Sequence, residues 1–205
     1  MKKFIFITGL IIIALPSYKL GAERLSMGYI YSSSISHSEI IANTNDSINV
    51  VSPTCFDLNV KGRLEINNLL DKEFINEMHE KGIKVTPFLS NHWGSKRAHA
   101  ALDNPQMLIN ELVNVINEYE LDGVNVDLEN ISINYKDKLT NFVKLLKEAL
   151  PEDKTVSIAV AANPERLEKT WVASYDYKGL GEYADYLVLM AYDEHSYGGG
   201  ERSCC

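Results

Sequence analysis

Six short apolar runs rich in β-branched residues punctuate the chain, near residues 27–31, 48–53, 83–89, 123–128, 155–160 and 186–190. Several are almost continuously apolar, as parallel strands covered on both faces must be. Between them the spacing changes to a helical one. Asp71 caps a segment reaching Glu80, which Gly82 closes before the strand at Ile83. Asn104-Pro105 opens a helix whose Leu108, Leu112, Val115 and Ile116 share a face. Residues 135–150 place Leu139, Phe142, Val143, Leu146 and Leu150 at similar spacing and stop at Pro151. Strand followed by helix, repeated six times, predicts an α/β fold.

The strand starts lie roughly 30 residues apart, the length of one βα unit. Two architectures share that beat. A doubly wound open sheet closes comfortably in a chain of this length, whereas an eight-stranded barrel needs about 250 residues. Arithmetic alone favours the open sheet. Its phosphate-binding signature is missing, because Ser32-Ser33-Ser34 follows the first strand where a glycine-rich turn belongs, and no Walker sequence occurs.

Composition narrows the partners. The 205 residues are 45% hydrophobic and 23% charged, with a formal net charge of -8 and no cluster of Lys and Arg interleaved with aromatics. That excludes a disordered tail and gives no footprint for nucleic acid. Cys55 stands alone and Cys204-Cys205 ends the chain, so neither a disulfide framework nor a structural zinc is expected. Residues 1–22 read as a secretory signal peptide: Lys2 and Lys3 precede a charge-free run from Phe4 to Leu15, followed by Pro16, Ser17 and Gly21-Ala22. An uncleaved membrane anchor is the alternative reading, and the only membrane contact expected. Either way the domain, residues 23–205, faces outward, secreted or in the cell envelope. Removing the leader takes three lysines and no acid, so the exported part is more acidic still and suits a neutral or cationic partner.

The chemistry concentrates in residues 122–129, Asp-Gly-Val-Asn-Val-Asp-Leu-Glu. The period of a strand puts Asn125, Asp127 and Glu129 on one face and Val124, Val126 and Leu128 on the other. Stacking two acids and an amide at the exit of an apolar strand costs desolvation, which a metal, hydrogen-bond partners or a shared proton must offset. Proximity of Asp127 and Glu129 is expected to raise the pKa of one of them, as a general acid requires. Structural hydrogen bonding, and a magnesium or calcium site on the same three residues, are the competing readings. Asp122, out of phase with the trio, reads either as a turn acid beside Gly123 or as part of the site. His92, His99 and His195 form no ligand set.

Residues 122–129 resemble the DGxDxDxE signature on the fourth strand of glycoside hydrolase family 18, the chitinases and their relatives, with Asn125 where many chitinases have Asp. The extended match to Ile131, together with residues 53–59, Ser90-Asn91-His92-Trp93 and Leu189-Met190-Ala191-Tyr192-Asp193-Glu194-His195, is similar to the branch acting on peptidoglycan of spore cortex and envelope. The resemblance spans about residues 26–199. It implies a (β/α)8 TIM barrel with chemistry at the carboxyl ends of the strands, and a substrate-assisted retaining mechanism without cofactor or metal. Glu129 would then be the acid/base, Asp127 would orient the substrate's acetamido group, and Tyr192 would donate its hydroxyl to that group. Asp193 and Met190 would line the same sugar subsite, joined by Asn125, which either holds Asp127 by hydrogen bonding or satisfies the backbone.

Three further positions are candidate substrate contacts. Tyr29 shares an alternating face with Tyr31 and either stacks on sugar or packs the barrel floor. Asn91 and Trp93 follow the third strand, where an aromatic platforms a sugar ring or packs a loop. Trp171 reads as a lid or helix-packing residue. The implied partner is a polysaccharide containing N-acetylglucosamine, bound by a monomer. After Tyr197-Gly198-Gly199-Gly200 the family pattern would continue through two more βα units, so the barrel is expected to be incomplete, its open edges poorly soluble, and the terminal Cys204-Cys205 to reflect a frameshift or early stop.

Overall fold

The structure, a computed structural model, describes residues 24–31, 37–67 and 69–191. The leader at 1–22, Tyr192, Asp193, His195 and the two terminal cysteines lie outside the described residues.

Six parallel strand positions follow one another in chain order. The first is β1 (Met27–Ile30). The second is split into β2 (Val50–Pro53) and β3 (Phe56–Leu58), and a short β4 (Leu64–Ile66) turns back antiparallel on β3. The third is split into β5 (Lys84–Val85) and β6 (Phe88–Ser90), then come β7 (Gly123–Asp127), β8 (Thr155–Ala161) and β9 (Tyr186–Met190). The third position breaks at Pro87, which has no N–H to give to a ladder. Backbone bonds carry the wall across the breaks: Thr54 N–H to Ile30 O at 2.9 Å, Thr86 N–H to Val51 O at 2.9 Å and Asn125 N–H to Pro87 O at 2.9 Å.

Each strand therefore adds on the same side of its predecessor, and the order never reverses. A doubly wound sheet must reverse at its switch point. The length arithmetic that favoured the open sheet is thus overturned by topology, and the fold is of the (β/α)8 barrel type. The β3–β4 hairpin was not expected from the sequence.

The helical layer is α1 (His37–Ala42), α2 (Lys72–Glu80), α3 (Ser95–Asp103), α4 (Pro105–Glu118), α5 (Lys136–Ala149) and α6 (Tyr177–Tyr183). Asp71 caps α2 as expected, its carboxylate accepting from Glu73 N–H at 3.0 Å. The apolar stripes of α4 and α5 bury Leu108, Leu112 and Ile116, and Leu139, Phe142 and Leu146, in one core with Val124 and Val126 of β7 and Leu128 just beyond it. Burying such side chains is worth roughly 1.5–3 kcal/mol each. The inward residues of β7 are polar, with Asn125 paired in register to Phe88 and Ser157, and Asp127 to Ser90. Apolar outside and polar inside is what leaves the strand ends free for chemistry. Among the described residues no helix is long and apolar enough to cross a membrane.

Candidate active site

Gly123 starts β7 at φ +150°, where a Cβ would run into the Thr155 carbonyl of β8, so only glycine lets these strands meet here. Two residues on, Asn125 is fully buried and its amide is spent on both sides. Its Oδ1 accepts from the Tyr29 hydroxyl at 2.9 Å and its Nδ2 donates to Ser157 Oγ at 2.7 Å. Tyr29, Asn125 and Ser157 thus form one polar belt across the barrel from β1 to β8. Asn125 was expected to hold Asp127 or to satisfy the backbone; it instead ties Tyr29 to Ser157. An amide so committed is a poor metal ligand, and no cluster of three metal-binding side chains occurs among the described residues.

Above this belt Asp127 faces a cavity of about 320 Å³ lined by Tyr29, Tyr31, Asp127, Ala159, Val188 and Met190. Its Oδ1 is buried and has no hydrogen-bond partner among the described residues. Burial pushes its carboxyl up to about 6. The upward direction was expected, but the cause is loss of water and not repulsion from Glu129. Burial, and then the charges of Asp127 and Glu129, push the Tyr31 phenol up as well, which sets Tyr31 beside both acids.

Glu129 sits just past the end of β7, and its main chain is clamped. Asn91 Nδ2 donates to the Glu129 carbonyl at 2.8 Å while the Glu129 N–H donates to Asn91 Oδ1 at 2.9 Å. The Tyr175 hydroxyl holds the preceding Leu128 carbonyl at 2.9 Å. Asn91, expected to touch substrate, is buried with both amide ends used, so its part is to position Glu129. Met190 is buried in the cavity wall. Tyr29 and Tyr31 each pack on Phe88 with ring centroids 5.5 Å apart, which sets Tyr29 in the barrel interior and leaves Tyr31 exposed at the rim.

Beyond β6 the chain takes a costly path. His92 and Trp93 both lie in the left-handed region, φ 46° and 61°, which non-glycine residues rarely adopt. His92 Nε2 is 2.6 Å from Asp57 Oδ1, and Asn130 Nδ2 donates to the Trp93 carbonyl at 3.2 Å. The half-exposed Trp93 ring meets Trp171 edge-on at 5.0 Å, and Trp171 meets Tyr175 at 6.0 Å. Trp171 is therefore packed into an aromatic wall beside the acids. Asp122 belongs to the other end of the strand, accepting from Val85 N–H at 2.8 Å and contacting His79 Nε2 at 2.8 Å, a turn acid and not part of the site.

Sequence reasoning missed Ser157, Tyr175 and the positioning role of Asn91. The alternation of Thr155, Ser157, Ala159 and Ala161 carried a signal for Ser157, since these small residues share the inward face. The Asn91 and Tyr175 contacts span more than 30 residues and left no local trace.

Parallel strands in chain order, with Asp127 lining the cavity at the carboxyl end of β7 and Glu129 just beyond it, define a barrel of the (β/α)8 type with acids at its strand ends. The Glycosyl hydrolases family 18 model matches residues 27–201, and the chain belongs to that family. Among curated proteins it is 30% identical over 118 residues to YdhD of Bacillus subtilis, provisionally named a sporulation-specific glycosylase; the match covers 56% of this chain and 28% of YdhD. Among solved structures it is similar to the spore cortex-lytic enzyme SleL of Bacillus cereus, with TM-score 0.78, 18% identity, and 87% of this chain and 44% of SleL covered. A chitinase from Chromobacterium violaceum gives TM-score 0.73, 23% identity, and coverage of 84% and 57%. The chain thus spans less than two thirds of these relatives.

Proposed function

We propose that this chain carries the catalytic residues of an exported glycoside hydrolase that cleaves β-linked glycans containing N-acetylglucosamine, peptidoglycan before chitin, by substrate-assisted retaining hydrolysis. The observation that carries the reading is Asp127, which lines the cavity and whose buried Oδ1 has no hydrogen-bond partner among the described residues, two residues before a Glu129 whose backbone is clamped. The names of YdhD and SleL support peptidoglycan.

In this mechanism Glu129 protonates the glycosidic oxygen as the bond to the anomeric carbon breaks, and the leaving sugar departs as an alcohol. The acetamido carbonyl oxygen of the same substrate attacks that carbon and closes an oxazolinium ring. Asp127 accepts the acetamido N–H and stabilises its growing positive charge. Glu129, now a carboxylate, takes a proton from water, which attacks the anomeric carbon and reopens the ring with net retention. Tyr29, Tyr31 and Met190 shape the subsite and Trp93 offers its face to a neighbouring sugar, while the roles of Tyr192 and Asp193 toward the acetamido group rest on the family resemblance alone. Residues 1–22 direct export.

The test is release of chromophore from a β-N-acetylglucosaminide oligomer by the purified chain beside Glu129→Gln. The expected loss is about a hundredfold to ten-thousandfold. Equal turnover in both would overturn the assignment of Glu129. Sugar binding without turnover in either protein would favour a binding role.

A further inference from the structure

A second pocket, of about 570 Å³, opens on the far side of the aromatic wall, between the loop after β7 and the loop after β8. Its size is that of a ligand site. Lys136, Arg166 and Lys178 line it together with Glu168 and Asp176. None of these five makes an ion pair among the described residues, so three cations and two acids converge on one pocket with their charged ends free for a ligand. A neutral glycan has no use for five uncompensated charges.

The loop that presents Arg166 is built and not merely exposed. Asn163 Nδ2 donates to the Leu167 carbonyl at 3.0 Å, Leu167 N–H returns to Asn163 Oδ1 at 2.8 Å, and Arg166 N–H bonds the Asn163 carbonyl at 3.2 Å. These bonds hold Arg166 at φ 52°, a left-handed conformation that costs on the order of 1 kcal/mol or more outside glycine. The Tyr177 hydroxyl, bonded to the Ala161 carbonyl, fixes the opposite wall to the end of β8. The pinned loop thus presents the Arg166 side chain to the pocket from a fixed backbone.

The pocket also stands at a useful distance. Ala159 lines the catalytic cavity and Asn163 this pocket, four residues along the same segment, or about 13 Å of extended chain. A peptide of a few residues attached to a sugar in the catalytic cavity spans that gap at about 3.5 Å per residue. We propose that the pocket takes the charged peptide substituent of a peptidoglycan strand, its carboxylates on Arg166, Lys136 and Lys178 and its free amine on Glu168 or Asp176. The proposal rests on the glycan reading above and narrows it to peptide-bearing strands.

The test is binding and not turnover, so it separates from the failure of that reading. The full chain is sedimented with purified cell-wall sacculi, with the same sacculi stripped of stem peptides by an amidase, and with chitin. Free stem tripeptide and glycerol phosphate serve as soluble competitors. The wild type is expected to bind intact sacculi about tenfold more tightly than stripped ones, the scale of a few partly exposed charge pairs. The tripeptide should displace it. Lys136→Gln/Arg166→Gln/Lys178→Gln should erase the difference without changing affinity for stripped sacculi. Arg166→Gly supplies the sharper control: relief of the φ offsets the added freedom of glycine in the unfolded chain, so the melting temperature should stay close to or above that of the wild type while peptide-dependent binding weakens. Equal binding to intact and stripped sacculi would overturn the proposal. So would an Arg166→Gly protein that keeps full binding, or displacement by glycerol phosphate and not by the tripeptide, which would assign the cations to an anionic polymer.

Discussion

Asp122 and Asp127 stand at the two ends of β7 and differ in almost everything but side-chain type. Asp122 gives its carboxylate to the Val85 N–H and to His79, and so joins β7 to the third strand position and to α2. Asp127 is starved of partners at Oδ1 and pushed up to about 6 by burial. A fold has no reason to keep an acid in the second condition, since desolvating a carboxylate without compensation is costly. The contrast separates an acid that builds the barrel from one that the barrel holds ready for a substrate.

Asp127→Asn breaks the comparison most severely. Turnover of the glucosaminide oligomer is expected to fall by about a hundredfold or more, since the amide cannot neutralise the charge that develops on the acetamido group. Stability moves the other way. The folded pKa of Asp127 lies above its unfolded value near 3.8, so the folded form binds more protons between the two. Its contribution to stability is greatest below pH 3.8 and declines as pH rises to about 6, by up to about 3 kcal/mol. Urea unfolding at pH 4, 5, 6 and 7 should show that decline in the wild type and a shallower one in Asp127→Asn. Parallel curves for the two proteins would mean that Asp127 is not desolvated.

Asp122→Ala sharpens the same contrast from the other end. It leaves the buried Val85 N–H without an acceptor, at a cost of about 1–3 kcal/mol. Thermal unfolding should register that loss, while turnover per folded molecule stays at the wild-type value. A large fall in turnover with unchanged stability would place Asp122 in the reaction and erase the distinction between the two ends of β7.

How far the sequence carried this distinction depends on the range of the interaction. The inward phase of Asn125 and Asp127 was legible, because a strand's alternation is local, and so were the caps and stripes of α2, α4 and α5. The barrel topology needed the family resemblance, since the βα beat alone equally suits a doubly wound sheet. What Asn125 bonds to was not legible, because Tyr29 lies 96 residues away and Ser157 lies 32 away. The same holds for the Asn91 clamp and for the β3–β4 hairpin, whose strands are too short to show a period. Backbone dihedrals are hidden too, as nothing in Ser90-Asn91-His92-Trp93 announces two successive left-handed residues.

That turn supplies the smallest expected effect and the closest parallel to Asp127. Trp93 is 52% exposed and strained at φ 61°. In Trp93→Gly the relief of a left-handed φ, on the order of 1 kcal/mol or more, opposes the lost edge contact with Trp171, roughly 0.5–1.5 kcal/mol, and the added freedom of glycine in the unfolded chain, about 0.5–1 kcal/mol. The balance lies within about 1.5 kcal/mol of zero, against about 3–5 kcal/mol for removing an aromatic from a core. Thermal unfolding of the variant reads the balance. Fluorescence titration of the wild type with a chitooligosaccharide reads the other half, because the protein has two tryptophans and they share one wall. A small stability change with a quenched wild-type signal puts Trp93, like Asp127, among the residues the fold keeps at its own expense for a sugar. A loss of several kcal/mol with no quenching would set it beside Asp122 as a builder.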